Sequence, residues 1–145
     1  MTSVDFYFNA EDRFQVACRL AGKALAQKKK LLIYAPGPEA AQRVDRMLWT
    51  VPAVAFVPHC RFGQALAADT PILIADDETL PPACELLLNL SSDCPPHFER
   101  FERLLEIVSR EDSERQAGRN RYRFYKERGY LISDHDLARA GARGE

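Results

Sequence analysis

The sequence predicts a single α/β domain with a Rossmann-like, mostly parallel sheet, helices on both faces and no phosphate-binding loop. Short continuous apolar runs alternate with segments of helical period, which is the order of a parallel sheet built with right-handed crossovers. The length of 145 residues and the hydrophobic content of 46% fit one ordinary globular core. We expect this domain to span residues 1–132 and a frayed tail to follow over residues 133–145, where little apolar surface is present.

The first half of the chain reads strand, helix, strand, helix, strand. Val4–Phe8 alternates in polarity and is rich in aromatics, which favours a strand, whereas the apolar residues of Arg13–Gln27 follow helical spacing. Leu31–Ala35 is a continuous apolar run, typical of a strand covered on both faces. Pro38 fits the first position of a second helix, and Val54–Val57 is the next apolar run.

The second half continues with two strands and a basic helix. Pro71–Ala75 and Glu85–Leu90 are predicted to be buried strands, and Phe101–Ser109 fits either a strand or a helix. A helix is predicted near residues 113–128, because a charged segment with helical periodicity follows there. The order of elements therefore remains that of a doubly wound sheet.

The ends and the inner face of this last helix can also be predicted. Asp112 and Ser113 are candidate N-cap residues, and Gly129 suits a stop in the left-handed region. On the side away from most of the cations, Phe124 or Tyr125 is expected to dock the helix onto the body of the domain.

The outer face of the same helix carries the strongest functional signal. Residues 115–130 hold six Lys and Arg side chains against one acid. At helical spacing, one face presents Arg115, Arg119, Tyr122, Arg123 and Lys126. A face built for solubility normally mixes charges of both signs. Cations around an aromatic therefore favour an acidic ligand that also has an apolar part, and the alternative is a terminal helix whose charges are simply solvated.

Charge and missing motifs argue against several classes of function. The formal net charge of −1 is unlike that of a general nucleic-acid binder. Asn9–Asp12 and Ala35–Glu39, which follow the first two strands, lack a glycine-rich phosphate loop. Proline removes amide donors and Glu39 would repel a phosphate. No nucleophile elbow or glycine-rich oxyanion loop is present, so we expect no catalytic residue and no cofactor.

Cysteines and histidines give no strong site either. The four cysteines lack CxxC spacing and are predicted to be reduced thiols. The candidate metal ligands are His59, Cys60, Cys94 and His97, but adjacent His59 and Cys60 have an unusual spacing for zinc, so no metal is expected. The first residues lack the features of a secretory leader and no apolar run is long enough to span a membrane, so the chain is predicted to be cytoplasmic.

An aromatic pair in the middle of the chain allows two interpretations. Trp49 lies near the end of the second predicted helix, and Phe56 lies in an apolar segment bounded by Pro52 and Pro58. These side chains either complete the core beneath the edge of the sheet or form an apolar patch that receives a partner subunit.

In its motifs the chain resembles the chi subunit family of bacterial DNA polymerase III. The matching stretches are DFYF in the first strand, VDRMLWT at the end of the second helix, FVPH at residues 56–59 and RNRYRFYKERGY in the basic helix. The length and the order of elements agree with the family as well, so the resemblance covers most of the chain.

The resemblance implies an accessory subunit of the replicative holoenzyme that associates with the clamp loader and has no catalytic activity. It implies two partners, the acidic carboxy-terminal tail of the single-stranded DNA-binding protein and the psi subunit, with DNA contacted only indirectly. The implied tail site consists of Val108, which would line a small apolar pocket, with Arg115, Arg119, Tyr122, Arg123 and Lys126. The implied psi site consists of Trp49 and Phe56, with Pro58 and His59 adjacent.

The competing interpretation of the basic helix is direct binding of single-stranded nucleic acid. Arginine and tyrosine side chains also suit phosphates and stacked bases. A single helix on a nearly neutral chain offers a small footprint, so this interpretation predicts poor affinity.

Overall fold

The computed structural model describes residues 2–50, 59–61, 72–75, 85–95 and 97–138, and for residues 49, 50 and 59–61 it describes the backbone alone. The strands are β1 (Ser3–Ala10), β2 (Leu31–Tyr34), β3 (His59–Arg61), β4 (Ile72–Ala75), β5 (Leu86–Asn89), β6 (Arg103–Ser109) and β7 (Ile132–Asp136). The helices are α1 (Arg13–Ala26), α2 (Pro38–Thr50), α3 (Asp112–Glu127) and a short 3-10 helix at Phe98–Arg100.

Within these residues the strands form one sheet in the order β3-β4-β2-β5-β6-β1-β7. Every strand pair is parallel, as the alternation of apolar runs and helices predicts. The predicted α/β class with a mostly parallel sheet is therefore confirmed. Phe101–Ser109, which fits either element in the sequence, forms strand β6 over Arg103–Ser109.

The sheet is covered on both faces by separate apolar clusters. One face packs against α1 and α2, with Ala17, Ala21 and Val44 among the fully buried helix residues. The other face packs against α3 and the 3-10 helix, with Phe6 and Tyr125 among its buried aromatics. The helices therefore lie on both faces, and α3 has one face of the sheet largely to itself among the described helices.

The frayed tail expected over residues 133–145 is corrected for residues 133–136, which belong to β7. The Val4 amide donates to the Leu131 carbonyl at 2.8 Å just before β7 begins. The Asn9 Nδ2 donates to Asp136 at 2.8 Å, and the His135 ring stacks on Tyr7 at 4.5 Å. Backbone pairing with β1 and polar contacts hold this segment on the sheet. The scarcity of apolar residues therefore did not indicate fraying here. Residues 139–145 lie outside the described part.

The strand predicted over Val54–Val57 also lies outside the described residues, and the strand described nearest to it is β3. Within the described part of the chain, no helix is both long and apolar enough to cross a membrane.

Candidate functional site

The basic helix α3 begins and ends close to the predicted residues. Its N-cap is Glu111, whose side chain makes no capping hydrogen bond, so the prediction of Asp112 or Ser113 as the cap is wrong. Both residues lie inside the first turn, where the Asp112 carboxylate interacts favourably with the positive end of the helix dipole instead. Gly129 has a φ of +84° and follows the helix, as predicted.

The inner face of α3 docks on β6 through an aromatic and a glycine. Tyr125 is fully buried, which confirms the predicted docking side. At Gly118 a Cβ atom would lie 2.7 Å from the Cγ2 of Val108 and 2.9 Å from its Cγ1. These distances are too short for real contacts, so the helix approaches β6 this closely because position 118 has no side chain.

A buried polar network lies next to this contact. Glu106 is fully buried, and its carboxylate accepts hydrogen bonds from Arg121 Nε at 3.0 Å, the Tyr125 hydroxyl at 2.7 Å and Asn89 Nδ2 at 3.1 Å. Arg121 also donates to the Ser92 carbonyl at 2.9 Å. Burial raises the pKa of Glu106, while the charge of Arg121 and the three donors oppose that rise. This network fixes α3 on the sheet at one rotation.

Nothing in the sequence singles out Glu106, which is a charged residue between apolar neighbours in a predicted strand. Its partner Arg121 reads in the sequence as one more cation of a basic helix. The signal that could have identified Arg121 as a buried partner is its helical position, because it lies four residues before Tyr125 and so shares the inner face with it.

The outer face of α3 forms one wall of an open pocket of about 480 Å³. The pocket is lined by Phe8, Arg119, Tyr122, Arg123, Lys126 and Asp134. The three cations are exposed and, with Arg115, take part in none of the ion pairs or side-chain hydrogen bonds among the described residues.

Several other arginines in the described part of the chain have a partner. Arg13 pairs with Glu114, Arg43 with Asp12, Arg103 with Asp5 and Arg110 with Glu11, while Arg128 lies over the ring of Phe124 at 4.2 Å. The cations of the pocket therefore retain charge that an anionic ligand can use.

Tyr122 gives the pocket its aromatic centre. Its ring lies 5.0 Å from that of Phe6 and 6.2 Å from that of Phe8, so two residues of β1 support it from below. The Tyr122 hydroxyl donates to Asp134 Oδ2 at 3.3 Å. Partial burial, and then the neighbouring Asp134 carboxylate, raise the pKa of Tyr122, so the phenol is neutral at physiological pH. The arrangement can hold carboxylates on the helix side and an apolar group against the rings.

Four of the six residues that the family resemblance assigns to the tail site line this pocket, and two do not. Arg119, Tyr122, Arg123 and Lys126 come together as predicted from their spacing. Val108 is buried beneath Gly118 instead of lining the pocket, since α3 covers it. Arg115 is exposed on the same helix, about one turn before Arg119.

Two lining residues were missed in the sequence. Phe8 was recognisable as an aromatic residue of the first predicted strand, but the sequence did not show which face of the sheet its side chain would occupy. Asp134 fell in the segment expected to be frayed. Pairing of β7 with β1 sets Asp134 opposite Phe6, so both side chains point to the α3 face.

The second predicted site falls outside what can be described. Phe56 and Pro58 lie outside the described residues, and the side chains of Trp49 and His59 are not described. Among the described residues, no cluster of three or more potential metal ligands is present. Of the candidate metal ligands, Cys94 and His97 are described, while the side chains of His59 and Cys60 are not.

The carboxyl end of β1, where a doubly wound sheet commonly binds nucleotides, carries acids and arginines that pair with each other. A cavity of about 580 Å³ there is lined by four acids (Glu11, Asp12, Glu111 and Glu114) and three arginines (Arg13, Arg43 and Arg110). Arg13 pairs with Glu114, Arg43 with Asp12 and Arg110 with Glu11. Asp12 caps α1 by accepting from the Phe14 amide at 2.9 Å, so one of the free amides at the N-terminus of that helix is already satisfied. The arginines of this cavity are engaged by carboxylates, which a phosphate would have to displace.

Fold and site together define an α/β protein of the Rossmann-like class whose candidate binding surface is a cationic pocket on a helix. Residues 1–133 match the family model of the DNA polymerase III chi subunit, HolC. The chain belongs to this family.

Curated relatives carry the same description. The chain is 36% identical over 143 residues to the DNA polymerase III subunit chi of Pseudomonas aeruginosa, covering 96% of this chain and 99% of the relative. It is 29% identical over 120 residues to the protein of that description from Escherichia coli K12, covering 82% of each. The family connects the chain with DNA replication and with the DNA polymerase III complex, of which chi is an accessory subunit.

Among solved structures, the C-terminal domain of the DEAD-box protein Dbp5 aligns with a TM-score of 0.65 at 10% identity, covering 94% of this chain and 92% of that domain. A Saccharomyces cerevisiae Dbp5 C-terminal domain bound to Gle1 aligns with a TM-score of 0.60 at 8% identity, covering 93% of this chain and 90% of that domain. At such low identity the likeness concerns the fold alone.

Proposed function

We propose that this chi-family protein is a non-catalytic subunit that binds the acidic carboxy-terminal tail of the single-stranded DNA-binding protein in the pocket beside α3. The observation that carries the proposal is the set of exposed cations Arg119, Arg123 and Lys126 around Tyr122, none of which forms an ion pair with another described residue. A peptide that ends in acids and an aromatic needs cations for its carboxylates and an apolar support for its ring. The α3 face offers the first, and Tyr122 with Phe8 offers the second.

The exposure of these cations sets the expected strength of binding. Each exposed ion pair contributes only about 0.2–1 kcal/mol, so the tail should bind weakly, with a dissociation constant no tighter than the order of micromolar. Such contacts are screened by salt, so the affinity should fall as ionic strength rises.

A second partner is proposed on the resemblance alone. The psi subunit would bind near Trp49, Phe56, Pro58 and His59 and so link the chain to the clamp loader. This surface is remote in sequence from α3, so one chain would join the two proteins. The test is a pull-down of psi with Trp49→Ala, which should lose psi and keep the tail peptide.

Direct binding of single-stranded nucleic acid is the alternative for the same pocket, because an exposed tyrosine flanked by arginines suits a stacked base. Asp134 in the pocket and the net charge of −1 weigh against a phosphate backbone. Separate titrations with an oligonucleotide and with the acidic peptide distinguish the two ligands.

Calorimetry with a synthetic tail peptide tests the proposed site. Arg119→Ala should weaken binding up to about fivefold, and Arg123→Glu should weaken it further because it reverses a charge. Both variants should leave the melting temperature unchanged, because both side chains are exposed. Arg100→Ala removes an exposed cation from the 3-10 helix and serves as the matched control, with binding retained. Wild-type affinity in both α3 variants would rule out this pocket as the tail site.

A further inference from the structure

Asp134 stands out among the residues that line the pocket because it is an acid, whereas Arg119, Arg123 and Lys126 are cations. It lies on β7 opposite Phe6 in the register with β1, and its Oδ2 accepts the hydrogen bond from the Tyr122 hydroxyl at 3.3 Å. No ion pair joins it to Arg119, Arg123 or Lys126 within the described residues, so its negative charge is not neutralised locally.

The pocket is therefore bipolar. Its cations all belong to α3, its carboxylate belongs to β7, and the Tyr122 hydroxyl contacts that carboxylate. A uniformly anionic ligand centred over Tyr122 would meet both attraction and repulsion. A ligand with its acids on one side would meet attraction alone if those acids lie along the helix.

The neighbouring residue of β7 on the same face extends the acidic edge. Asp136 pairs in register with Phe8, and it accepts a hydrogen bond from Asn9 at 2.8 Å. Acids on an edge strand discourage an added strand that is itself acidic. An acidic peptide is thereby steered away from β7 and toward α3.

We propose that Asp134 is a specificity-determining residue that sets the direction of the acidic peptide in this pocket. The carboxylates of the peptide lie along Arg119, Arg123 and Lys126, and groups without negative charge, such as a backbone N–H, face Asp134. The inference rests on the proposed function, because it concerns the placement of that same ligand. The charge of Asp134 keeps the affinity of the pocket for the acidic peptide below the maximum that its cations allow.

The effect can be sized from Coulomb's law. A carboxylate of the peptide about 6–8 Å from Asp134, in surroundings with an effective dielectric constant of about 40–80, is repelled enough to weaken binding roughly two- to tenfold. Removing the charge with Asp134→Asn keeps an oxygen that can accept from Tyr122. This variant should therefore bind the tail peptide about two- to tenfold more tightly.

Asp134 could instead act by holding Tyr122 in place, and a double-mutant cycle separates the two roles. In a Tyr122→Phe background the hydroxyl is absent, so any effect transmitted through it disappears. Direct repulsion predicts that Asp134→Asn tightens binding by the same factor in both backgrounds. A positioning role predicts that the gain vanishes in the Tyr122→Phe background.

The experiment is isothermal titration of the folded full chain with the synthetic tail peptide and with copies in which each acid is replaced singly by Asn. We expect Asp134→Asn to bind the peptide more tightly in both backgrounds. The control Glu102→Gln, which removes an exposed acid outside the pocket, should leave binding unchanged. The gain from Asp134→Asn should also differ from one peptide acid to another, because the acids lie at different distances from Asp134. Equal or weaker binding by Asp134→Asn, loss of the gain in the Tyr122→Phe background, or equal coupling at every acid would overturn the proposal. Absence of binding by the wild-type chain would instead overturn the proposed function itself.

Discussion

Replacing Gly118 by alanine tests whether α3 approaches β6 as closely as the structure indicates. In an unconstrained helix, this substitution stabilises by roughly 1 kcal/mol, because alanine has the higher helix propensity. Here the new Cβ would lie 2.7 Å and 2.9 Å from the two methyl carbons of Val108. Valine is stiff at χ1 and Val108 is buried in a strand, so its methyl groups cannot swing away cheaply.

The two effects oppose each other, and the clash should dominate. Overpacking of a tight core costs typically about 1–3 kcal/mol. After subtraction of the propensity gain, Gly118→Ala should lower the free energy of unfolding by about 1 kcal/mol, or the melting temperature by roughly 3 °C. Urea denaturation of the wild type and the variant measures the difference.

Two further variants make the test specific. Asn120→Ala places alanine on the exposed side of the same helix and should be neutral or slightly stabilising. Val108→Ala removes the opposing methyl groups, so Gly118→Ala should cost less in that background than in the wild type. Stabilisation by Gly118→Ala, or an identical effect with and without the Val108 methyl groups, would refute the close approach.

Two other predictions concern buried groups. Arg121→Met leaves Glu106 buried without its cation and should destabilise the fold by about 3–5 kcal/mol at neutral pH. Because the pKa of Glu106 is raised by burial and would rise further without Arg121, its ionisation lowers stability as pH rises through that pKa, so the loss should be smaller at pH 5 than at pH 8 in urea titrations. Burial raises the pKa of the Cys18 thiol to about 11, so only about 0.1% of it is thiolate at pH 8, and iodoacetamide should label it far more slowly in the native protein than in urea. Mass spectrometry of labelled peptides reads this out, and equal labelling rates would contradict the burial of Cys18.

The architecture could be predicted because the spacing of apolar residues and the continuous runs of them report burial directly. Leu31–Ala35 was expected to be covered on both faces, and the four residues of β2 are indeed all buried. The five residues at helical spacing on α3 share a face because the period of a helix is fixed by its geometry. These inferences needed no knowledge of tertiary contacts.

The parts that failed depend on contacts between distant segments. β7 carries mostly polar, exposed side chains, and it forms because β1, which lies at the other end of the described chain, offers a free edge. Asp134 therefore could not be placed in the pocket from its own surroundings. Val108 was assigned to the pocket by family resemblance, but the contact with Gly118 covers it, and that contact appears only once the helix is docked.

The buried network and the exposed pocket are consequences of one helix rotation. Successive residues of an α-helix are turned by roughly 100° about its axis, so the direction of Arg121 determines the direction of Tyr122. With Arg121 bound to Glu106 and Gly118 seated against Val108, the cations at 119, 123 and 126 must face away from the sheet. A shift by one residue would bury Tyr122 and expose Arg121, leaving Glu106 without its partner. Because a buried ion pair generally adds little stability beyond what well-packed apolar residues would give, we infer that the pair of Glu106 and Arg121 acts mainly by excluding that alternative rotation.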